Sequence, residues 1–338
     1  MTKKSILIIG GSGHVSGAVR RAALALSYEV TIVTRGQKAI PEGVTSLIAD
    51  RKDTAAMRAA LPEGATWDLV VDCIGYEVED ARQDLELFAQ RAKQFVFIST
   101  DFVFEPSQRR FPQPFDNPFF LQDESYGAKK RRCELEFLAY SDCGARACTA
   151  PSDGTDGRRG TSPRPTEETA SGAAQTQWTV FRPCHIYGPP SQLGCLPEAA
   201  RDPQLLHKMK AGEPVRLVGG GHFLQQPIHC DDLARLVLSV VDNPLAHGKT
   251  YCSVGPDIIT SREYYEIIAR VLGVPVQFEE TPVAKALEEH PEWVSFLCHR
   301  IYDLSPLRLD RLQVPNTPIA KGLEEHVEWL LSQQPLTE

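Results

Sequence analysis

Residues 6–17 read Ile6-Leu7-Ile8-Ile9-Gly10-Gly11-Ser12-Gly13-His14-Val15-Ser16-Gly17. An apolar, strand-sized run passes into a cluster of glycines, and a helical pattern follows through Val19–Leu26. A strand that turns on glycine into a helix brings its backbone close to a phosphate, because no Cβ stands in the way. The first N–H groups of the helix are then free to donate to it. Any tight strand–helix turn favours glycine, so the cluster carries weight only through its place after the first apolar run.

Outward from this turn, short β-rich runs alternate with helical stretches. Strands are predicted at Ile6–Ile9, Glu29–Thr34, Val44–Ala49, Leu69–Ile74 and Phe95–Ser99. Helices are predicted over Ala55–Leu61, Asp80–Ala92 and Tyr126–Tyr140. The strands are apolar throughout, as expected where helices cover both faces. The fold class is therefore α/β, a Rossmann-type doubly wound parallel sheet with a smaller C-terminal substrate-binding lobe. Residues 141–177 lack Ile, Leu, Val, Met, Phe, Trp and Tyr altogether. Such a stretch buries too little apolar surface to offset its ordering entropy and reads as a disordered surface insertion. Order resumes with a strand at Trp178–Arg182. Asp231 is expected to cap a helix through Val241, and Thr260 with Glu263 to form the capping box of a helix over Ser261–Leu272.

The bulk composition narrows the class. With 338 residues, 42% hydrophobic and 24% charged, the chain can bury a sizeable core. A net charge of −8 without a basic stripe argues against a nucleic-acid partner. The longest apolar runs are strand-sized, so no membrane span is expected, and the N-terminal run is too short for a signal peptide. Nine scattered cysteines without a C-x-x-C pair read as reduced thiols, giving an expected cytoplasmic location and no metal site.

Tyr126-Gly127-Ala128-Lys129-Lys130 places Tyr126 and Lys130 four apart, on one helix face. A free tyrosine, with a pKa of about 10, is a poor base at neutral pH, and a nearby ammonium lowers it. Such a pair can move a proton on or off a substrate oxygen. Thr100 closes the preceding predicted strand, 26 residues before Tyr126. Two further segments are Arg182-Pro183-Cys184-His185-Ile186-Tyr187-Gly188-Pro189 and Ile228-His229-Cys230-Asp231-Asp232-Leu233-Ala234.

In order and spacing, these segments resemble the extended short-chain dehydrogenase/reductase superfamily, in its NAD-dependent epimerase/dehydratase branch. The resemblance covers nearly the whole chain outside 141–177, with Ser16 in the place of the usual third glycine. It implies catalytic roles for Thr100, Tyr126 and Lys130. It also implies cofactor contacts at Gly10, Gly11, Ser12, Gly13, His14, Val15, Thr34, Arg35, Asp50, Cys73, Ile74, Gly75, Lys130 and Pro183. An acid at the end of the second strand would hold the ribose of NAD(H). Thr34-Arg35 stands there instead, which favours the 2′-phosphate of NADP(H), with NAD(H) still possible. Residues 1–181 and 224–255 are expected to form the cofactor domain, and 182–223 and 256–338 the substrate lobe. His185 and His229 read as structural or pocket-lining.

The expected reaction is hydride transfer at a hydroxyl or keto group of a sugar-like small molecule. Ser99-Thr100-Asp101-Phe102-Val103-Phe104 is similar to the S-T-D-Y-V-F of nucleotide-sugar keto reductases, and Phe102 leaves the dehydratases' Asp-Glu pair incomplete. Gln225 stands where nucleotide-sugar enzymes carry an arginine. Alternatives are a nucleotide-sugar epimerase/dehydratase, or a non-catalytic NADP-sensing or RNA-associated protein on the same fold. A homodimer is expected from the resemblance alone.

Overall fold

A computed structural model describes residues 3–144, 176–195, 198 and 200–333. Seven parallel strands make the central sheet: β1 (Ser5–Ile9), β2 (Glu29–Thr34), β3 (Val44–Ile48), β4 (Trp67–Asp72), β5 (Ala92–Ile98), β6 (Gln177–Pro183) and β7 (Lys249–Ser253). Their order is β7-β6-β5-β4-β1-β2-β3. Alternate residues feed two separate cores. Ile6, Ile8, Val96 and Ile98 point into one, and Leu7, Ile9, Phe95 and Phe97 into the other. Helix α1 (His14–Ala25) covers the first face together with α6 (Cys230–Leu238). Helices α2 (Thr54–Ala60), α3 (Val78–Phe88) and α4 (Tyr126–Gly144) cover the second. Burial on both sides is why these strands carry no polar alternation. Polar residues enter toward the edges: β2 carries Glu29 and Thr31, the edge strand β3 Thr45 and Ser46, and the opposite edge strand β7 Lys249 and Thr250.

Several boundaries differ from the sequence reading for local reasons. Helix α1 begins at His14, not Val19, because Ser16 Oγ accepts from the Gly13 N–H at 3.1 Å and caps the first turn. Strand β4 stops at Asp72, whose carboxylate accepts from the Ile74 N–H at 2.8 Å and turns Cys73 and Ile74 out of the ladder. Helix α3 starts two residues before Asp80, since that carboxylate takes the Tyr76 and Glu77 N–H groups. Helix α6 is capped by His229, not Asp231: the imidazole accepts from the Asp231 N–H. The capping box at Thr260 and Glu263 forms as expected and opens α7 (Ser261–Leu272).

Of the predicted insertion, residues 145–175 lie outside the described residues. Its two edges are regular structure, because 141–144 continue α4 and Gln177 already pairs in β6. Thr176 precedes that pairing and is buried against the carbonyls of Phe88, Ala89 and Ala92.

A third core lies beyond β6. It joins α5 (Leu205–Lys210), α7 and the C-terminal helix Ile319–Gln333 through Leu205, Met209, Tyr264, Tyr265, Leu323 and Val327. Among the described residues, no helix is long and apolar enough to cross a membrane. Seven described cysteines are free thiols.

Candidate active site

At the C-terminal ends of β1, β4, β5 and β6 the chain leaves a cleft of about 600 Å³. Residues Gly13–Ser16 form one wall, and Cys73, Ile74 and Tyr76 continue it. Thr100, Phe102, Tyr126 and Lys130 line the middle. Pro183–Ile186, Arg201 and Arg300 close the far side.

The glycine turn is built by close contact. Gly11 has φ +103°, and a Cβ there would sit 2.7 Å from Ile32, so a larger residue would be both strained and blocked. The hydroxyl of Ser16 also lies within 3.2 Å of where a Cβ on Gly10 would be, which shows that serine still permits the close packing.

Helix α4 is held in register by a buried ion pair. Arg182 donates to both oxygens of Glu134, at 2.8 and 2.7 Å, and Ser99 donates to the same carboxylate at 2.6 Å. This network ties α4 to the ends of β5 and β6. The arginine charge keeps Glu134 ionised, below the usual carboxylate range, although burial pushes the other way. At the start of the helix, a Cβ on Gly127 would meet the Phe102 carbonyl at 1.9 Å. Only glycine lets α4 approach the Thr100–Phe102 segment this closely, so Gly127 belongs to the site although the sequence reading gave it no role.

Thr100 is 4% exposed, and its hydroxyl lies within reach of the Tyr126 phenol. It also accepts from the Phe102 N–H at 3.3 Å. Lys130 is 2% exposed and donates to the Gly75 and Ile98 carbonyls at 2.6 and 2.5 Å. Its ammonium stands over the Phe97 and Tyr76 rings, at 4.3 and 5.1 Å from their centroids. Burial lowers the Lys130 pKa, since desolvation disfavours the charged form.

One expectation from the sequence is corrected here. The Tyr126 pKa is raised, not lowered: desolvation of the phenol in the cleft is the largest cause, Tyr76 and Asp101 add to it, and the hydrogen bond with Thr100 opposes it. The Lys130 ammonium donates to the Gly75 and Ile98 carbonyls.

Of the sequence-derived cofactor residues, Gly13, His14, Val15, Cys73, Ile74, Lys130 and Pro183 come together in the cleft wall. Gly75 joins them through its carbonyl. Gly10, Gly11, Ser12, Thr34, Arg35 and Asp50 lie outside that wall, in the turns that follow β1, β2 and β3. Arg35 is exposed and, among the described residues, in no ion pair. Asp50 accepts from the Lys52 N–H at 2.9 Å.

The far side holds residues that sequence reading passed over. Arg300 is 4% exposed, with Nη1 3.5 Å from Asp101 and Nη2 donating to Gln225 at 3.3 Å. Tyr302 donates to Asp101 at 2.6 Å. His185 lines the cleft, and burial beside Arg201 and Arg300 holds it neutral, far below the usual histidine range. Arg201 and Arg300 stand in stretches without a recognisable motif, and only tertiary folding brings them to the site.

The sequence pattern of the NAD dependent epimerase/dehydratase family matches residues 166–253. That stretch is about a quarter of the chain, and it carries β6, α6 and β7. The chain's architecture matches solved epimerases along nearly its whole length. One is a UDP-N-acetylglucosamine 4-epimerase from Methanobrevibacter ruminantium, in complex with UDP-N-acetylmuramic acid: TM-score 0.74, 17% identity, 99% of this chain and 100% of that one. Another is a Thermus thermophilus UDP-glucose 4-epimerase in complex with NAD, with TM-score 0.68 and 15% identity over 98% of this chain and 100% of that one. A curated relative is the chloroplast stem-loop binding protein of 41 kDa b of Arabidopsis thaliana, 24% identical over 293 residues. The match takes in 81% of this chain, which spans 65% of that relative's length. In this chain Arg300 reaches from the C-terminal segment to Gln225.

Proposed function

We propose that the chain is an NAD(P)-dependent oxidoreductase or epimerase, acting on a hydroxyl or keto group of a sugar-like substrate. The observation that carries this reading is the meeting of Thr100, Tyr126 and Lys130 in one cleft whose other end is the glycine turn. The residues fit a dinucleotide. The turn allows close backbone approach, the first N–H groups of α1 face the cleft, and Arg35 offers an unpaired charge for a 2′-phosphate. When bound, the cofactor supplies the hydride acceptor or donor.

In this reading the Thr100 hydroxyl holds the substrate oxygen and the Tyr126 phenol gives or takes its proton. A raised phenol pKa suits Tyr126 as the acid of a keto reduction. For oxidation the phenol would have to lose its own proton before taking the substrate's, and its raised pKa disfavours that direction in the empty cleft. Lys130, anchored at the ends of β4 and β5, would position the ribose. Residues 1–181 and 224–255 act as the cofactor domain, with the substrate lobe built from 182–223 and 256–338. NADP(H) is favoured over NAD(H).

The stem-loop binding protein among the relatives supports a second reading, an RNA-associated protein on this fold. The net charge of −8 and the retained Tyr–Lys pair weigh against it.

One experiment separates the two. NADPH and NADH are titrated into the wild type and Tyr126→Phe, followed by a screen of sugar-like alcohols and ketones. The expectation is tighter NADPH binding in both proteins, within a few-fold of each other, with turnover lost in Tyr126→Phe. Unchanged turnover in that variant would sink the catalytic assignment, and binding of neither nucleotide would favour the RNA-associated reading.

A further inference from the structure

Next to the cleft wall, one arginine is buried among three aspartates. Arg51 follows Asp50 after β3, and it is shut away from solvent together with Asp72, Asp80 and Asp84. Its Nη1 stands 2.7 Å from Asp72 Oδ2. Its Nη2 donates to Asp84 Oδ1 at 2.7 Å and to the Asp80 carbonyl at 2.6 Å. Its Nε lies 3.4 Å from the Asp80 carboxylate, which Lys52 also holds, at 2.8 and 2.9 Å.

Two of these carboxylates face the backbone of one turn, which runs from Cys73 through Gly75 to Glu77 between β4 and α3. Asp72 Oδ1 accepts from the Ile74 N–H at 2.8 Å, and Asp80 Oδ2 accepts from the Tyr76 and Glu77 N–H groups at 2.8 and 3.1 Å. A Cβ on Gly75 would sit 2.1 Å from Asp72 Oδ2, so the turn lies tight against this carboxylate. Its N–H groups thus end on two aspartates, and both aspartates end on Arg51. The same turn meets the site. Cys73, Ile74 and Tyr76 line the cleft, and the Gly75 carbonyl accepts from Lys130 at 2.6 Å. Asp72 also supports the Lys130 ammonium against its burial.

Stability alone does not call for this arrangement, because a buried ion network is often no better than apolar packing of the same volume. What it does supply is placement, since a site is held to its geometry by hydrogen-bonded side chains packed behind it. The third carboxyl has a different part. Burial and the neighbouring Asp72 push the Asp84 carboxyl up, and as the neutral acid it donates to Asp72 while accepting from Arg51.

We infer that Arg51 is a positioning residue of the nucleotide site: through Asp72 and Asp80 it fixes the 73–77 turn against Lys130 and the bound dinucleotide. One guanidinium then joins the Asp50 end of the site to its reacting end. The inference rests on the reading of this cleft as a cofactor site, while the hold on the turn is measured without cofactor.

The test pairs fluorescence titration of the full-length protein by NADPH and NADH with the rate of thiol alkylation at each cysteine, read by peptide mass spectrometry. Wild type, Arg51→Met, Arg51→Lys, Asp80→Asn, Asp84→Asn and the surface control Arg216→Gln are compared. Arg51→Met is expected to weaken nucleotide binding tenfold or more and to speed the alkylation of Cys73 by a similar factor. Cys195 and Cys252, buried elsewhere in the molecule, should react as slowly as in the wild type. Arg51→Lys should recover part of both losses. Asp84→Asn, which keeps a neutral group in place, should cost less than Asp80→Asn, and Arg216→Gln should match the wild type. Wild-type Cys73 reactivity in Arg51→Met would overturn the inference. So would alkylation that rises equally at every cysteine, the mark of a general loss of fold. Should the wild type bind neither nucleotide, the cofactor reading fails and this inference with it, whereas binding that Arg51→Met leaves unchanged removes this inference alone. Should Arg51→Met fail to fold, Arg51→Lys and Asp80→Asn carry the test. Weaker binding with faster Cys73 alkylation supports the inference there, and wild-type values overturn it.

Discussion

Ser16 illustrates how one residue can serve two demands. The first turn of α1 needs its N–H groups satisfied, and the glycine turn needs room. The serine hydroxyl accepts from the Gly13 N–H at 3.1 Å while its side chain stays small enough to pass beside Gly10. Ser16→Ala should therefore cost about 1 kcal/mol of stability, the ordinary worth of such a cap. Nucleotide affinity should change by no more than a few-fold. Denaturant unfolding beside a fluorescence titration checks both, and a large loss of affinity with unchanged stability would show that the hydroxyl serves the nucleotide directly. At this scale the sequence was informative where chemistry follows from spacing. Thr100, Tyr126 and Lys130 were found from their places along the chain, and they do share a cleft. What spacing could not show is the partner: the Lys130 ammonium is held by the Gly75 and Ile98 carbonyls, at the ends of β4 and β5. Arg300 was invisible because no local pattern marks a residue whose partners lie 199 and 75 positions away.

Helix α4 depends on its ion pair more than on its own amphipathicity. Glu134 and Arg182 are both almost fully buried and bind each other through two hydrogen bonds. Removing Arg182 leaves the buried Glu134 carboxylate with only Arg131 and Ser99, and removing Glu134 leaves the Arg182 charge unpaired, at a cost of up to about 3–5 kcal/mol. Arg182→Met should lower stability by that amount, measured by chemical denaturation, while Glu134→Gln with Arg182→Met together should recover much of the loss. A simple additive cost in the double variant would show that the pair is not coupled. Element types were legible in the sequence because apolar runs and helical spacing differ in period. Their ends were not, because termination is set by single side chains. Asp72 turns the chain off β4, Asp80 starts α3 early, and His229 takes the cap that Asp231 was expected to fill.

The packing of the third core against the rest gives the whole molecule a pH limit. His326 is fully buried between the C-terminal helix and the 188–191 turn. Its Nδ1 accepts from the Gly188 N–H at 3.1 Å and its Nε2 pairs with the Ser191 carbonyl at 2.7 Å, so only the neutral ring satisfies both. Burial brings its pKa down to about 4 from an ordinary 6.5. The unfolded chain thus binds a proton more readily between those values. The contribution is complete above about pH 6.5 and is lost as pH falls toward 4, amounting to about 3 kcal/mol. His14, also brought down to about 4, acts in the same direction. Thermal unfolding should therefore show a midpoint that drops between pH 6.5 and 4.5, and His326→Gln should flatten part of that slope. An unchanged slope in the variant would place the acid sensitivity elsewhere.

Helix α4 carries Tyr126 at the cleft and reaches Gly144 18 residues later, about 27 Å away at the usual rise per residue. Strand β6 begins at Gln177 and returns to the cleft only at Pro183. Gly144 and Gln177 thus both stand at the far end of the sheet from the chemistry. That end is a listening post: a reporter attached there would touch neither the cleft nor its ligands, and any signal it gave on ligand addition would have travelled through the scaffold.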